Sequence, residues 1–225
     1  MGARQIPFDQ TVTPSRQTQP EIGYALVPSA VLPMPGKRAF DVIAGLLLIA
    51  AFSPLLAVIA ATIAATQSGP VIFRQQRVGA GGRMFWLYKF RTMRHAPHSA
   101  FVQARPDDPR VTRLGSWLRA SSVDELPQLL NVIRGEMSLV GPRPHAPETA
   151  IGSLRVTDAL GHYRVRERVR PGITGLAQIR GQRGPILTLA NLEQRLASDL
   201  EYIERRSLGL DLLILVRSVP ALFGR

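Results

Sequence analysis

"VIAGLLLIAAFSPLLAVIAATIAA", Val42 to Ala65, carries no charge and restricts the possible folds more than any other stretch of the chain. As a straight helix it would measure about 36 Å at roughly 1.5 Å per residue, enough to cross a hydrocarbon core of about 30 Å. Ser53-Pro54 interrupts it at the midpoint, where proline removes a backbone hydrogen bond and clashes with the preceding turn. Each half is then about 16 Å long and reaches only the bilayer centre. The flanks are basic on both sides, Lys37-Arg38 before the run and Arg74 and Arg77 after it. A spanning helix leaves its basic excess on one side. These features predict a re-entrant helix that enters, bends at Ser53-Pro54 and returns to the cytoplasmic side, with Ser53 serving a carbonyl freed at the bend. The alternative is a kinked spanning helix.

Around this run the chain divides into three parts. Residues 1–36 are rich in Pro, Gln, Ser and Thr without an apolar period, which predicts a disordered cytosolic tail rather than a secretory signal. Residues 37–70 form the membrane segment, and residues 71–225 a cytosolic domain. In that domain "VIFRQQRVGAGGRMFWLYKFRTM" predicts two strands joined around Gly79–Gly82. No Gly-Lys-Ser/Thr follows those glycines, so they read as a turn rather than a phosphate loop. The last stretch, "DLLILVRSVPALFGR", is too short to span; it fits an interfacial helix or, equally, a helix of the core.

Charge narrows the partners. The chain has 28 Lys+Arg against 16 Asp+Glu, and all its basic residues except Lys37 and Lys89 are arginine. Codon bias explains arginine in general but not its placement: from Val42 to Arg105 there is no acid, while Arg74, Arg77, Arg83, Lys89, Arg91, Arg94 and Arg105 are basic. Such a block faces phosphorylated ligands, an anionic membrane surface or nucleic acid. Cysteine is absent, which excludes disulfides, thiol nucleophiles and zinc-thiolate sites.

Against that background "SSVDELPQLLNVIRG" places two adjacent carboxylates, Asp124 and Glu125, at a helix start. Pro127 is tolerated only in a first turn, and Gly135 ends the helix. Leu126, Leu129, Leu130 and Ile133 predict a buried stripe, with Asp124, Gln128 and Asn131 on a polar face. One explanation is structural: Ser122 and Glu125 match a capping box. The other follows from the cations nearby in sequence, Arg113, Arg119 and Arg143, with Lys89 and Arg91 in "YKFRTM". A helix start ringed by arginines suits phosphate. There one carboxylate could hold Mg²⁺ and the other attack phosphorus.

Three segments in order, "VIFRQQRVGAGGRMFWLYKFRTMR", "SSVDELPQLLNVIRGEMSLVGPRP" and "RPGITGLAQIRG", resemble the bacterial polyprenyl-phosphate hexose-1-phosphate transferases, the monotopic phosphoglycosyl transferases. The resemblance runs from about Lys37 to the C-terminus and is closest to the compact, exopolysaccharide-initiating members. It implies a mixed α/β, mainly helical monotopic fold: a re-entrant helix broken at Ser53-Pro54, a small cytosolic catalytic domain and amphipathic interfacial helices. It implies that Asp124 is the nucleophile and Glu125 its Mg²⁺-binding partner, with Lys89, Arg91, Arg119 and Arg143 binding phosphate. The implied reaction takes galactose- or glucose-1-phosphate from a UDP-sugar, releases UMP, and passes the phosphosugar to undecaprenyl phosphate at the cytoplasmic face of the inner membrane. Asp199 in "DLEYI" also matches a family position, with no role legible in the sequence. Arg180 departs from the smaller polar residue expected there. The hexose and any homo-oligomer stay open.

Two other classes compete. A membrane-tethered, arginine-rich nucleic-acid-binding protein fits the charge, but no recognition motif is present and the carboxylate pair is left without a purpose. A soluble Mg²⁺ phosphohydrolase is disfavoured by the Val42–Ala65 run.

Overall fold

The computed structural model describes residues 31–94 and 108–219, so the expected tail up to residue 30, and Arg105 and Arg225, lie outside the described residues. The chain begins with a long helix, α1 (Lys37–Thr66), and a hairpin of β1 (Ile72–Val78) and β2 (Met84–Phe90). Then follow α2 (Arg113–Ala120), a 3₁₀ segment (Val123–Gln128), α3 (Leu129–Arg134) and β3 (Ser138–Val140). The second half holds β4 (Ala150–Ile151), β5 (Leu154–Arg155), α4 (Val156–Ala159), a 3₁₀ segment (Tyr163–Arg168), β6 (Gly172–Thr174), α5 (Leu176–Ile179), α6 (Leu189–Arg205) and α7 (Leu208–Ser218). The architecture is mixed and mainly helical, as expected.

Among the described residues α1 alone is long and apolar enough to cross a bilayer by length and composition. Its helical backbone runs unbroken through Pro54 rather than stopping there. The reason is local: Pro54 has no N–H to give the Ala50 carbonyl, and Ser53 Oγ donates to that oxygen instead at 2.9 Å. Residues 50–55 are exposed. On either side of them the helix touches the domain: Asp41, Gly45 and Leu48 pack toward α3 and β3, and Ile59 and Ile63 pack on Phe90 and Leu118. Both ends of α1 therefore rest on one body.

The basic flanks, however, point inward. Lys37 Nζ lies 3.2 Å from Asp41 and 2.7 Å from Asp211 of α7. Arg38 donates to the Val132 and Ile133 carbonyls at 2.5 and 2.6 Å, serving the C-terminus of α3. Arg77 faces the domain. Of the four residues, only Arg74 is exposed, lying over the Tyr88 ring.

The predicted hairpin forms, with Ile72 opposite Phe90 and Arg77 opposite Phe85 across a turn at Ala80–Gly82. Period-two alternation sends Phe85, Leu87 and Lys89 to one face, where the first two are buried in the main core with Leu129, Val132 and Leu139. The predicted leucine stripe is corrected: Leu130 is 48% exposed, while Gln128 and Asn131, expected on a polar face, are buried at 1% and 0%. Asn131 explains the inversion. Its Nδ2 donates to the Trp86 carbonyl at 2.7 Å and its Oδ1 accepts from Tyr88 N at 3.2 Å, which bolts α3 to β2. A buried amide so satisfied costs little and fixes one register.

Strand β3 pairs in parallel with β6, and their glycines nearly touch: a Cβ on Gly172 would come 2.1 Å from Gly141 N. Only glycine permits that approach, and it holds the Gly141–Pro144 loop in place. Helix α7 buries Asp211 and Ile214 but exposes Leu212, Leu213, Val216 and Val219, so it packs on the core with one face and leaves an apolar face outside.

Candidate active site

The carboxylate pair sits in a 3₁₀ segment rather than the expected α-helix, entered through Ser122 at φ 55. Among the described residues Ser122 is the only non-glycine with positive φ. That conformation costs on the order of 1 kcal/mol or more for an L-residue and is typical of a site where geometry is imposed. The capping box does not form. No side chain caps this segment, and Glu125 N donates to the Ser122 carbonyl at 3.1 Å.

The two acids have opposite environments. Glu125 is gripped by cations from two other elements: Lys89 Nζ of β2 donates to Oε1 at 2.6 Å, and Arg143 forks onto both oxygens, with Nη1 to Oε2 at 3.0 Å and Nη2 to Oε1. Burial alone would raise the Glu125 pKa, but Arg143 and Lys89 outweigh it and hold the carboxyl well below the usual range. Asp124, 7% exposed, accepts no hydrogen bond among the described residues. Burial pushes its pKa up to about 6, Lys89 opposes this, Glu125 adds to it, and Arg143 and Arg119 also oppose it. The site thus holds one acid paired with two cations and one acid without a hydrogen bond beside the same cations.

Of the residues singled out in the sequence, Asp124, Glu125, Lys89, Arg143 and Arg119 come together. Arg119 reaches the group from α2, held by Nε donating to Thr92 Oγ1 at 2.8 Å. Arg91 stands apart: it is 5% exposed, its Nη2 donates to the Gln67 carbonyl at 3.3 Å, and its Nε and Nη1 have no partner among the described residues. It lies toward the end of α1. Ser53 and Pro54 are in the middle of α1, remote in sequence from every contact of the pair.

Asp199, which had no legible role, now has one. It is buried on α6, 2.8 Å from Arg166 Nη2, and Arg166 Nη2 also donates to the Arg143 carbonyl at 2.6 Å. Arg166 Nη1 donates to His145 Nδ1 at 2.9 Å and Tyr163 Oη at 2.6 Å. The backbone that carries Arg143 is thus anchored through Arg166 to α6. Burial first, then Arg166, Arg77, Arg195 and Arg143, drives the His145 pKa well below its ordinary value and keeps it neutral. Arg180 pairs instead with Glu201 at 2.6 Å on the surface. Sequence reasoning read Arg77 only as a basic flank of the apolar run and part of a basic block, and passed over Arg166 and Arg195. Only Arg77 left a signal, because alternation from Phe85 and Leu87 through the hairpin register turns it inward.

Among the described residues no cluster of three or more His, Asp or Glu could hold a metal. Mg²⁺ needs less than that, since it takes one or two carboxylates and completes its shell with substrate phosphate and water. Glu125 Oε1 accepts two hydrogen bonds and Oε2 one, so an acceptor position on Oε2 and the whole of Asp124 are open. The donor set fits Mg²⁺ brought with a diphosphate.

The family profile described as bacterial sugar transferase matches residues 33–225. An undecaprenyl-phosphate glucose phosphotransferase of Komagataeibacter xylinus is 49% identical over 185 residues, 81% of this chain and 35% of that protein. A UDP-glucose:undecaprenyl-phosphate glucose-1-phosphate transferase of Caulobacter vibrioides is 50% identical, over 83% of this chain and 69% of its own. The exopolysaccharide production protein PSS of Rhizobium leguminosarum bv. phaseoli is 43% identical, over 81% of this chain and 92% of its own. The chain therefore spans about a third of the first relative and most of the other two. With the profile covering the chain from residue 33 onward, it belongs to the bacterial sugar transferase family.

Proposed function

We propose that the chain is a phosphoglycosyl transferase that moves glucose-1-phosphate from UDP-glucose to undecaprenyl phosphate, with UMP as the other product. The observation that carries this reading is the buried Asp124, free of hydrogen bonds, beside a Glu125 paired with Lys89 and Arg143. In the first step an Asp124 carboxylate oxygen attacks the phosphorus bonded to the sugar. The bond from that phosphorus to the bridging oxygen breaks, and the bridging oxygen leaves on UMP. In the second step a phosphate oxygen of the lipid attacks the same phosphorus, the acyl–phosphate bond breaks, and Asp124 returns as a carboxylate beside the lipid diphosphosugar. The raised pKa near 6 leaves Asp124 mostly ionised at neutral pH while keeping it more basic than an ordinary aspartate, which favours nucleophilic attack. Lys89, Arg143 and Arg119 offset the negative charge that brings carboxylate and phosphate together. Glu125 would hold Mg²⁺, which supplies Lewis-acid polarisation of the phosphoryl oxygens.

The membrane arrangement is part of the proposal. A spanning α1 would put one end about 30 Å away across the bilayer. Packing of both ends on one domain, with Ala50–Leu55 outward, supports a re-entrant helix that keeps the site on the cytoplasmic face of the inner membrane. The apolar outer face of α7 suits an interfacial helix. A nucleic-acid-binding surface would spread its cations along an exposed stripe, whereas here Lys89, Arg143 and Arg166 converge on buried carboxylates. The test is UMP release across a panel of UDP-hexoses with undecaprenyl phosphate. The reading predicts release with UDP-glucose above UDP-galactose; no release from any UDP-sugar contradicts it.

A further inference from the structure

We infer that Arg77 and Arg195 form the subsite for the phosphate of the leaving nucleotide, at the end of the site farthest from the membrane helix; this rests on the proposed nucleoside diphosphate sugar donor. The hairpin gives the site its direction. Its Ile72–Phe90 end packs on Ile59 and Ile63 of α1. Arg77 lies five residues further along β1, about 17 Å at roughly 3.3 Å per residue. There Val78 N donates to the His145 carbonyl at 3.2 Å and ties the strand end to the loop that carries Arg143. Along the inward face the cations therefore run from Arg91, beside α1, through Lys89 and Arg143 to Arg77. Asp124 and Glu125 stand in the middle. A lipid phosphate arrives from the α1 end, and the outer end is left for the nucleotide.

Charge pairing shows which cations are surplus. Arg166 is matched by Asp199, and Lys89 and Arg143 share Glu125. Arg77 and Arg195 form no ion pair within 4 Å among the described residues. Arg77 gives one hydrogen bond to Gln75 Oε1, and its buried Nε has no acceptor. Arg195, one helical turn before Asp199 on α6, donates only to the Arg183 carbonyl at 2.9 Å. Burial and then the like charge of Arg143 lower Arg77 to about 10, and the same two effects lower Arg195. Two guanidinium groups that both feel the like charge of Arg143, one of them with a buried Nε that has no acceptor, suit a bidentate phosphate ligand. Leaving-group charge builds on the nucleotide side of the breaking bond, so the pair also stabilises departure of UMP.

Calorimetric titration of UMP and of uridine into the detergent-solubilised full chain tests this, together with the KM for each substrate. Arg77→Gln and Arg195→Gln should each weaken UMP binding by about 10-fold, the scale of one lost charge-assisted contact. Uridine binding and the KM for undecaprenyl phosphate should not change, and the KM for UDP-sugar should rise. Arg77→Lys should recover part of the loss, and it replaces Arg77→Gln if that variant does not fold. Unchanged UMP affinity in a folded Arg195→Gln and in a folded Arg77 variant overturns the subsite. A raised KM for the lipid phosphate alone also overturns it, by moving these arginines to the acceptor. Wild-type protein that binds UMP but releases none from any UDP-sugar overturns the proposed reaction and not the subsite.

Discussion

The two lysines of this chain, Lys37 buried and Lys89 half-buried, both pair with acids and do opposite things. Lys37 sits between Asp41 and Asp211, and the cluster closes on itself: Asp41 Oδ1 accepts from Leu139 N at 3.1 Å and Asp211 Oδ1 from Tyr202 Oη at 2.8 Å. Acids outnumber the cation there, and backbone and hydroxyl donors fill most of the difference, leaving Asp41 Oδ2 without a hydrogen bond. Lys89 shares Glu125 with Arg143, Arg119 stands near, and the second acid, Asp124, is left without a hydrogen bond. Cations outnumber paired acids here, and nothing in the protein fills the difference. A cluster that pairs its one cation with two acids of the protein is a clamp, in this case joining α1, β3 and α7. One that stays positive, with a free carboxylate in its centre, is arranged for an anion that arrives from outside.

The comparison can be broken first at Glu125. Glu125→Gln removes the carboxylate that pairs with two partly exposed cations, Lys89 and Arg143, which costs about 1–2 kcal/mol. It also removes the oxygen proposed to hold Mg²⁺, so activity should fall by about 10²-fold or more, with the residual rate rising as Mg²⁺ is added. Steady-state rates against Mg²⁺ and a thermal melt read both effects. Stability lost without any change in rate would make this cluster a second clamp.

The corresponding change in the clamp is Asp211→Asn. It should destabilise the protein by about 2 kcal/mol, since Lys37 keeps Asp41 but the Tyr202 and Lys37 contacts weaken. The rate per folded molecule should stay within about twofold, because no step needs this group. Chemical denaturation with activity normalised to folded protein measures it. A large loss of rate at full folding would show that the two clusters are coupled.

How far the sequence could be read depended on how local the determining contact is. The hairpin, the stop at Gly135 and the meeting of Asp124 and Glu125 with Lys89 and Arg143 followed from alternation, turn chemistry and clustered charge. The buried face of the 3₁₀ segment and α3 did not. Helical spacing favoured the leucines, but Asn131 hydrogen-bonds to Trp86 and Tyr88, far off in sequence, and turns its own face inward. Lys37 and Arg38 looked like membrane-facing flanks because their partners, Asp211 and the end of α3, lie in distant segments. Asp199 could gain a role only once Arg166 connected it to the Arg143 backbone. Long-range pairing is invisible to local pattern.

If the free acid, Asp124, is the nucleophile, it carries the phosphosugar covalently between the two half-reactions. Wild-type protein is incubated with radiolabelled UDP-glucose and Mg²⁺ but no lipid, quenched in acid, and the label on the protein is counted across a pH series. The account predicts a covalent phosphosugar adduct whose rate of formation rises with pH and reaches half its plateau near 6, as Asp124 loses its proton. The same burial makes the ionised group a structural cost. A raised carboxyl pKa gives stability that is present below the unfolded value and lost as pH rises through the folded one. Asp124→Asn should therefore abolish the adduct while melting at the same or a higher temperature than wild type at pH 8. A labelled adduct that persists in Asp124→Asn would contradict the account and return the pair to a structural role.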